Sequence, residues 1–265
     1  MADLPAGTTP LGRLTRSMLF SRIRESPPVF VCQEHRAVLL AAWAAERQGL
    51  FGEGAAPFLV RLDAHPDMGE RPRHWAHERS LATTFESTFE LIEQQRPDDG
   101  GWVVTAMQWG LCAGVATFFV HDYHRMPLDN APYDDHLGAA HPLWTFGSFR
   151  EALDRGFARG RGRRLAWELG LDPETGAFAG QGPPLWVDID LDFATHRRDD
   201  GSPLAWTAED WERELGGAVG ALLDGLLRRA RLVTIATEPE FCGGMAGCGA
   251  VARELGRRFE VVGAI

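Results

Sequence analysis

The sequence is poor in tyrosine, with two against nine tryptophans and fifteen phenylalanines, and poor in cysteine, with four in 265 residues. Cys32, Cys112, Cys242 and Cys248 show neither the paired spacing of a zinc site nor the pattern of a secreted disulfide scaffold. Free thiols in a reducing cytoplasm are therefore expected. No apolar run is long enough to span a bilayer; the longest, residues 109–120, falls well short. The opening Met1-Ala2-Asp3-Leu4-Pro5 lacks a basic segment followed by an apolar one, so no signal peptide is expected and the cytoplasm is the expected location. Basic charge is also in deficit: 27 Lys and Arg stand against 37 Asp and Glu, a formal charge of −10. That balance argues against nucleic acid or an anionic membrane as the partner. One arginine-rich stretch, Arg155, Arg159, Arg161, Arg163 and Arg164, is interspersed with glycine and reads as a solvated helix end.

What is present is an alternation of short apolar runs with helix-like segments, and 45% hydrophobic residues suffice for a large core. Residues 28–32, 58–63, 116–120, 185–190 and 232–236 read as strands, with a possible last one over 257–262. Residues 36–48, 78–95, 102–110, 150–159 and 207–229 read as helices, the last as one long amphipathic element. Alternation with fully apolar strands predicts a three-layer α/β/α fold with a mainly parallel sheet. No repeat or long linker divides the chain, so residues 1–265 are expected to form one domain, with 1–25 as an N-terminal extension.

Two of the strands end in acid. Leu62-Asp63-Ala64-His65-Pro66-Asp67 follows Phe58-Leu59-Val60, and Val187-Asp188-Ile189-Asp190-Leu191-Asp192-Phe193 follows Leu185-Trp186. Alternate residues of a strand share a face, so Asp63 projects with His65, and Asp188 with Asp190. Asp190 with Asp192 has the same spacing; the Asp188–Asp190 pair is preferred because it lies deeper in the strand. His35 falls between the first strand and its helix and is expected at the same carboxyl edge, where ligands of such sheets collect. His35, Asp63, His65, Asp67, Asp188 and Asp190 would converge there. Buried carboxylates beside imidazoles repel and lose solvation unless a cation compensates them. Two nitrogens and four carboxylates suit two divalent ions of intermediate hardness, such as Mn2+, better than a structural zinc.

Asp-Ala-His-Pro-Asp after a strand, a later Asp-Ile-Asp strand, and His35 between an earlier strand and helix together resemble the arginase–deacetylase superfamily, over roughly residues 28–242. Glu34-His35, the Asp-Ile-Asp-Leu-Asp-Phe run and Glu238-Pro239-Glu240-Phe241-Cys242 look closer to the branch that includes peptide arginases, which convert arginine side chains in ribosomal peptides to ornithine. The resemblance implies an arginase-like fold with two Mn2+ per chain, one held by His35, Asp63, Asp67 and Asp188, the other by Asp63, His65, Asp188 and Asp190. Gln33-Glu34 stands where ordinary arginases have Gly-Asp before the His.

Such an enzyme would hydrolyse a guanidino C–N bond by attack of a bridging hydroxide hydrogen-bonded to Asp67. Glu238 and Glu240 follow the strand 232–236, and either suits a guanidinium, which wants a planar carboxylate. His77, beside Glu78, is the expected proton carrier, an imidazole suited to neutral pH; His74, His121 and His124 are further candidates. Deacetylases of the superfamily resemble one another in placing a Tyr in a glycine-rich loop, but Gly243-Gly244-Met245-Ala246-Gly247 has none. Enzymes for free arginine resemble each other in a loop of Asn, Thr and Ser after the motif. Here it reads Met68-Gly69-Glu70-Arg71-Pro72-Arg73-His74-Trp75-Ala76-His77. The expected substrate is therefore an arginine within a peptide, converted to ornithine with loss of urea. The alternatives are a small guanidine such as agmatine, an amide deacetylase, and a catalytically inert metal-binding protein.

Overall fold

The computed structural model describes residues 18–19, 27–69, 79–94, 99–120, 132–135, 138–155, 160–180 and 182–262. In chain order the strands are β1 (Met18–Leu19), β2 (Val29–Cys32), β3 (Phe58–Leu62), β4 (Gly114–Phe118), β5 (Tyr133–Asp134), β6 (Ala140–His141), β7 (Leu143–Phe146), β8 (Leu185–Asp190), β9 (Thr195–Arg197), β10 (Pro203–Ala205) and β11 (Ala230–Ala236). The helices are α1 (Val38–Arg47), α2 (Phe85–Gln94), α3 (Trp102–Gln108), α4 (Phe149–Arg155), α5 (Gly160–Glu168), α6 (Ala208–Leu215), α7 (Gly217–Arg229), α8 (Pro239–Cys242) and α9 (Gly244–Arg258).

Seven strands make one sheet in the order β1-β2-β11-β8-β3-β4-β7. All neighbours pair in parallel except β1, which runs antiparallel to β2 at the edge. The central strands β3, β4 and β8 are buried on both faces, which is why β3 and β8 open as apolar runs. Two cores result. Phe58, Val60 and Leu62 of β3 point into one, shared with α4 to α7 and α9. Leu59 points into the other, shared with α1, α2 and α3. The sheet is thus the middle of three layers, as the alternation predicts.

On the α1–α3 side the sheet changes character toward its carboxyl edge. In β3 the inward series runs Leu59, Arg61, Asp63; in β8 it runs Trp186, Asp188, Asp190; in β11 it runs Leu232, Thr234, Ala236. Parallel register sets Arg61 beside Asp188, and Asp188 beside Thr234, in one cross-strand row. A polar row is thereby built into a face that is apolar below it.

Several boundaries differ from the sequence reading. The expected helix 207–229 is two helices, because Gly216 is extended (φ −82°, ψ 160°) and Gly217 takes φ +59°. The expected strand 257–262 is the end of α9 and a turn. Its glycines masked a helical spacing in which Cys248, Val251, Ala252 and Leu255 are buried. The helix expected over 78–95 begins at Phe85, after a short 3-10 turn over 79–81. β4 starts at Gly114, two residues before expectation. All four cysteines are buried free thiols. Among the described residues, no helix is long and apolar enough to cross a membrane.

Candidate metal centre

The carboxyl ends of β2, β3, β8 and β11 are adjacent, and each delivers its acid or imidazole through a tight local structure. His35 opens a 3-10 turn after β2 and is buried to 1% exposure. Its backbone N–H donates to Glu238 Oε1 at 3.2 Å, while Glu238 N–H donates to Gln33 O at 3.1 Å, so the ends of β2 and β11 are tied together. After β3 the chain leaves the sheet and turns back at Asp67, which adopts φ +46°. Glu238 also sits in the left-handed region, at φ +30°. Non-glycine residues there are uncommon and concentrate where surrounding contacts over-determine them. A 3-10 turn over Leu191–Ala194 follows β8, with Asp190 as its cap: the Asp192 N–H donates to Asp190 Oδ1 at 3.1 Å. That turn carries Asp192 back to the rim instead of up the strand.

Two groups of donor atoms share Asp63. His35, Asp63 and Asp67 form one, and Asp63, His65 and Asp192 the other; His35, Asp190 and Glu238 form a third, overlapping set. His35 Nδ1 lies 3.1 Å from Asp190 Oδ2, 3.3 Å from Asp67 Oδ2 and 3.6 Å from Asp63 Oδ2. His65 Nδ1 lies 2.8 Å from Asp192 Oδ2 and 3.7 Å from Asp63 Oδ1. Of the expected residues, the structure brings together His35, Asp63, His65, Asp67 and Asp190. Asp188 lies behind them: its Oδ2 accepts from His35 Nε2 at 2.8 Å, and its Oδ1 accepts from Thr234 at 2.6 Å. Glu238 adjoins the cluster, whereas Glu240 is exposed on a neighbouring cavity. His77, His74, Trp75, His121 and His124 lie outside the described residues.

Two participants escaped the sequence reading. Arg61, fully buried, donates through Nη2 to Asp63 and Asp67 and through Nη1 to Pro66 O at 2.8 Å. Its position two residues before Asp63 on a strand was the available signal. Trp102 at the start of α3 donates Nε1–H to Asp67 Oδ2 at 3.0 Å and packs tilted against His35, with ring centroids 4.9 Å apart. Nothing in local spacing could pair residues so far apart in the chain.

Burial shapes the protonation of the centre. It pushes Asp63 well up against the opposing pull of Arg61, and burial with the nearby Asp192 charge lifts Asp190 to about 6. For Asp67, burial is outweighed by Arg61 and His35, and its carboxyl is held low. Burial disfavours the charge on His35, but Asp188 and Asp190 outweigh it and raise the imidazole well above its ordinary value. Asp192, with Oδ2 2.8 Å from the ring, likewise raises His65 against desolvation. Protons are thus drawn into a cluster that carries too much negative charge.

The donor set fits divalent cations on an observation of its own. Asp192 Oδ2, 2.8 Å from an imidazole nitrogen, is buried without a hydrogen-bond partner. Orphaned buried carboxylate oxygens are costly, and a cation shared with His65 would satisfy this one. Oxygen-rich sets with one or two imidazoles suit manganese-like ions.

Beside the second group lies an open cavity of about 440 Å³, lined by Ala64, His65, Asp192, Thr195, Arg197 and Glu240, with Phe241 against the His65 ring. No protein-family model matches the chain, and no curated protein matches it. Among solved structures it is similar to proclavaminate amidino hydrolase from Streptomyces clavuligerus, at 15% identity and a TM-score of 0.44. The match covers 90% of this chain and 64% of that one, so the chain spans less than two thirds of that protein's length.

Proposed function

We propose that this protein is a two-metal hydrolase of a guanidino C–N bond, acting on arginine within a peptide to give ornithine and urea. The observation that carries the reading is the pair of buried His/Asp groups sharing Asp63 at the carboxyl edge of the sheet. The Asp-Ala-His-Pro-Asp resemblance supports the arginase-like assignment. The proposed ligands are His35, Asp63, Asp67 and Asp190 for one ion, and Asp63, His65, Asp190 and Asp192 for the other. This set exchanges Asp188, both of whose oxygens are engaged elsewhere, for Asp192, which faces the cavity. Two Mn2+ bound there would supply charge neutralisation and a water of lowered pKa at neutral pH.

The chain's own groups do the rest. Asp188 holds Nε2 of His35 and so turns Nδ1 toward the cluster. Trp102 fixes Asp67. Glu240 on the cavity wall offers a carboxylate to the planar guanidinium, and Phe241 beside it offers a ring face. Water adds to the guanidinium carbon, the bond to the side-chain nitrogen breaks, and that nitrogen leaves as the amine of ornithine with a proton, for which His77 is the proposed donor. A peptide brings no free α-amino or α-carboxylate group, so the absence of small polar residues after Asp67 costs it nothing.

The test is urea release by manganese-reconstituted protein from free arginine, agmatine and peptides with internal arginine. The peptide should have the highest kcat/KM. Efficient hydrolysis of a small guanidine with the peptide inert would sink the substrate assignment. No urea from any of them, with two ions bound, would sink the activity.

A further inference from the structure

The two halves of the centre are not equivalent. Arg61 is fully buried and reaches from β3 into the half built by His35, Asp63 and Asp67, where its guanidinium bonds both carboxylates. Its Nε lies 3.5 Å from Asp188 Oδ2, and its carbon sits 4.8 Å from the centre of the Trp102 ring. Carboxylates, a carbonyl and an aromatic face thus surround one cation, whose Nε alone makes no hydrogen bond. In the other half, Asp192 Oδ2 is buried with no hydrogen-bond partner. One half holds a fixed cation; the other holds the titratable His65 imidazole, 2.8 Å from Asp192 Oδ2.

We infer that Arg61 is a built-in counter-cation that makes metal uptake sequential. The Asp63–His65–Asp192 half takes its ion first, and the His35–Asp63–Asp67 half takes one only as the guanidinium is displaced from Asp63 and Asp67. The inference rests on the proposed metal centre and concerns its asymmetry. A divalent ion entering the His35–Asp63–Asp67 half must compete for two carboxylates that already hold a charge-assisted bond, and it meets a fixed positive charge in a poorly screened site. An arginine does not escape by losing its proton. The same guanidinium keeps the metal-free centre from flying apart, because it compensates acids that would otherwise be buried together.

Manganese titration of the chelated protein, followed by equilibrium dialysis and electron paramagnetic resonance, tests this without reference to activity. The wild type should bind a first equivalent with the spectrum of an isolated ion and a second about 100-fold more weakly. Arg61→Gln, which keeps donors but removes the charge, should narrow that gap to about tenfold or less, with the spectrum of a coupled pair appearing from the first additions. Its metal-free form should melt below the wild type and regain the difference with manganese. Arg61→Lys, which keeps the charge, should keep the gap. Two ions of equal affinity in the wild type overturn the inference whether or not the variants fold, as does a gap that Arg61→Gln leaves unchanged. Absence of manganese binding in both proteins overturns the metal centre itself.

Discussion

His35 and Asp188 form a hydrogen-bonded pair, Nε2 to Oδ2 at 2.8 Å, in which the carboxylate stands on the far side of the imidazole from the other acids. A ligating His whose second nitrogen is held by a carboxylate has its ring orientation and tautomer fixed. Asp188 is itself held by Thr234, which accepts in turn from Trp186 Nε1 at 2.8 Å. The chain of contacts runs from the core of the sheet to the ring nitrogen that faces the cluster.

The relationship separates two aspartates that spacing alone treats alike. At saturating manganese, Asp188→Asn should retain both ions but bind them about 10- to 100-fold more weakly. Asp192→Asn should lose one ion outright. Metal analysis after dialysis at graded manganese distinguishes the outcomes. Loss of an ion in Asp188→Asn with full occupancy in Asp192→Asn would make Asp188 the ligand.

The metal-free protein should have an inverted response to mild acid. Burial and the Asp192 charge raise Asp190 to about 6 in the folded chain, against roughly 3.9 when unfolded. The folded state therefore binds more protons between about pH 4 and pH 6, and stability falls as pH rises through that window. The raised His35 acts with the same sign at higher pH. Below the window the sign turns, as carboxylates held low by their partners are protonated. Glu254 is one, kept at about 2 chiefly by its hydrogen bond to Arg257. Urea midpoints of chelated protein should drop by the equivalent of about 2 kcal/mol from pH ~4 to pH ~6.5, and manganese should reverse the trend because ligands must be ionised. Midpoints that rise with pH in the presence of chelator would contradict a centre overloaded with negative charge.

The layered sheet was legible because parallel strands buried on both faces leave apolar runs, and β3 and β8 each open with one, Phe58-Leu59-Val60 and Leu185-Trp186-Val187. His35, Asp63 and Asp67 were legible because strand ends in such a sheet share an edge. The placement of Asp192 was not, because strict alternation ends with the strand and the 3-10 turn at Leu191 resets the direction of the later side chains. Arg61 stood in view two residues before Asp63, yet nothing local says that a strand arginine points inward until the facing acids are placed. Trp102 could not be linked to Asp67 at all, since a contact between separate elements has no period. The break at Gly216 was missed because the apolar spacing continues across it.

Away from the centre, α6 begins with a reciprocal cap. Asp210 N–H donates to Thr207 Oγ1 at 3.2 Å, and Thr207 N–H donates to Asp210 Oδ2 at 2.9 Å. Thr207→Ala removes the hydroxyl half of this arrangement and should cost about 1 kcal/mol. The hydroxyl and backbone of Thr207 also hold the Asp210 carboxyl well below its usual range, so the deficit should shrink as pH falls toward the unfolded carboxylate value. Metal content should not change. A variant as stable as wild type at neutral pH would show that the cap contributes nothing here.

Glu238 and Glu240 are two residues apart and differ in every physical respect. Glu238 is buried, strained at φ +30°, and its Oε1 receives the His35 N–H. Glu240 is exposed, in the first turn of α8, and faces the cavity. Neutralising the first should disturb the loop that carries His35; neutralising the second should disturb only what enters the cavity. Glu238→Gln is thus expected to lower manganese affinity and stability, with kcat falling as metal is lost. Glu240→Gln should keep metal content and melting temperature while kcat/KM for guanidino substrates falls about 10- to 100-fold, the usual worth of a charge-assisted hydrogen bond. Most of that loss should appear in KM, because the contact holds a cation present in both ground and transition states. Kinetics and metal analysis on both variants decide the matter: wild-type KM in Glu240→Gln, with a raised KM and intact metal in Glu238→Gln, would move the guanidinium from the cavity wall to the buried acid.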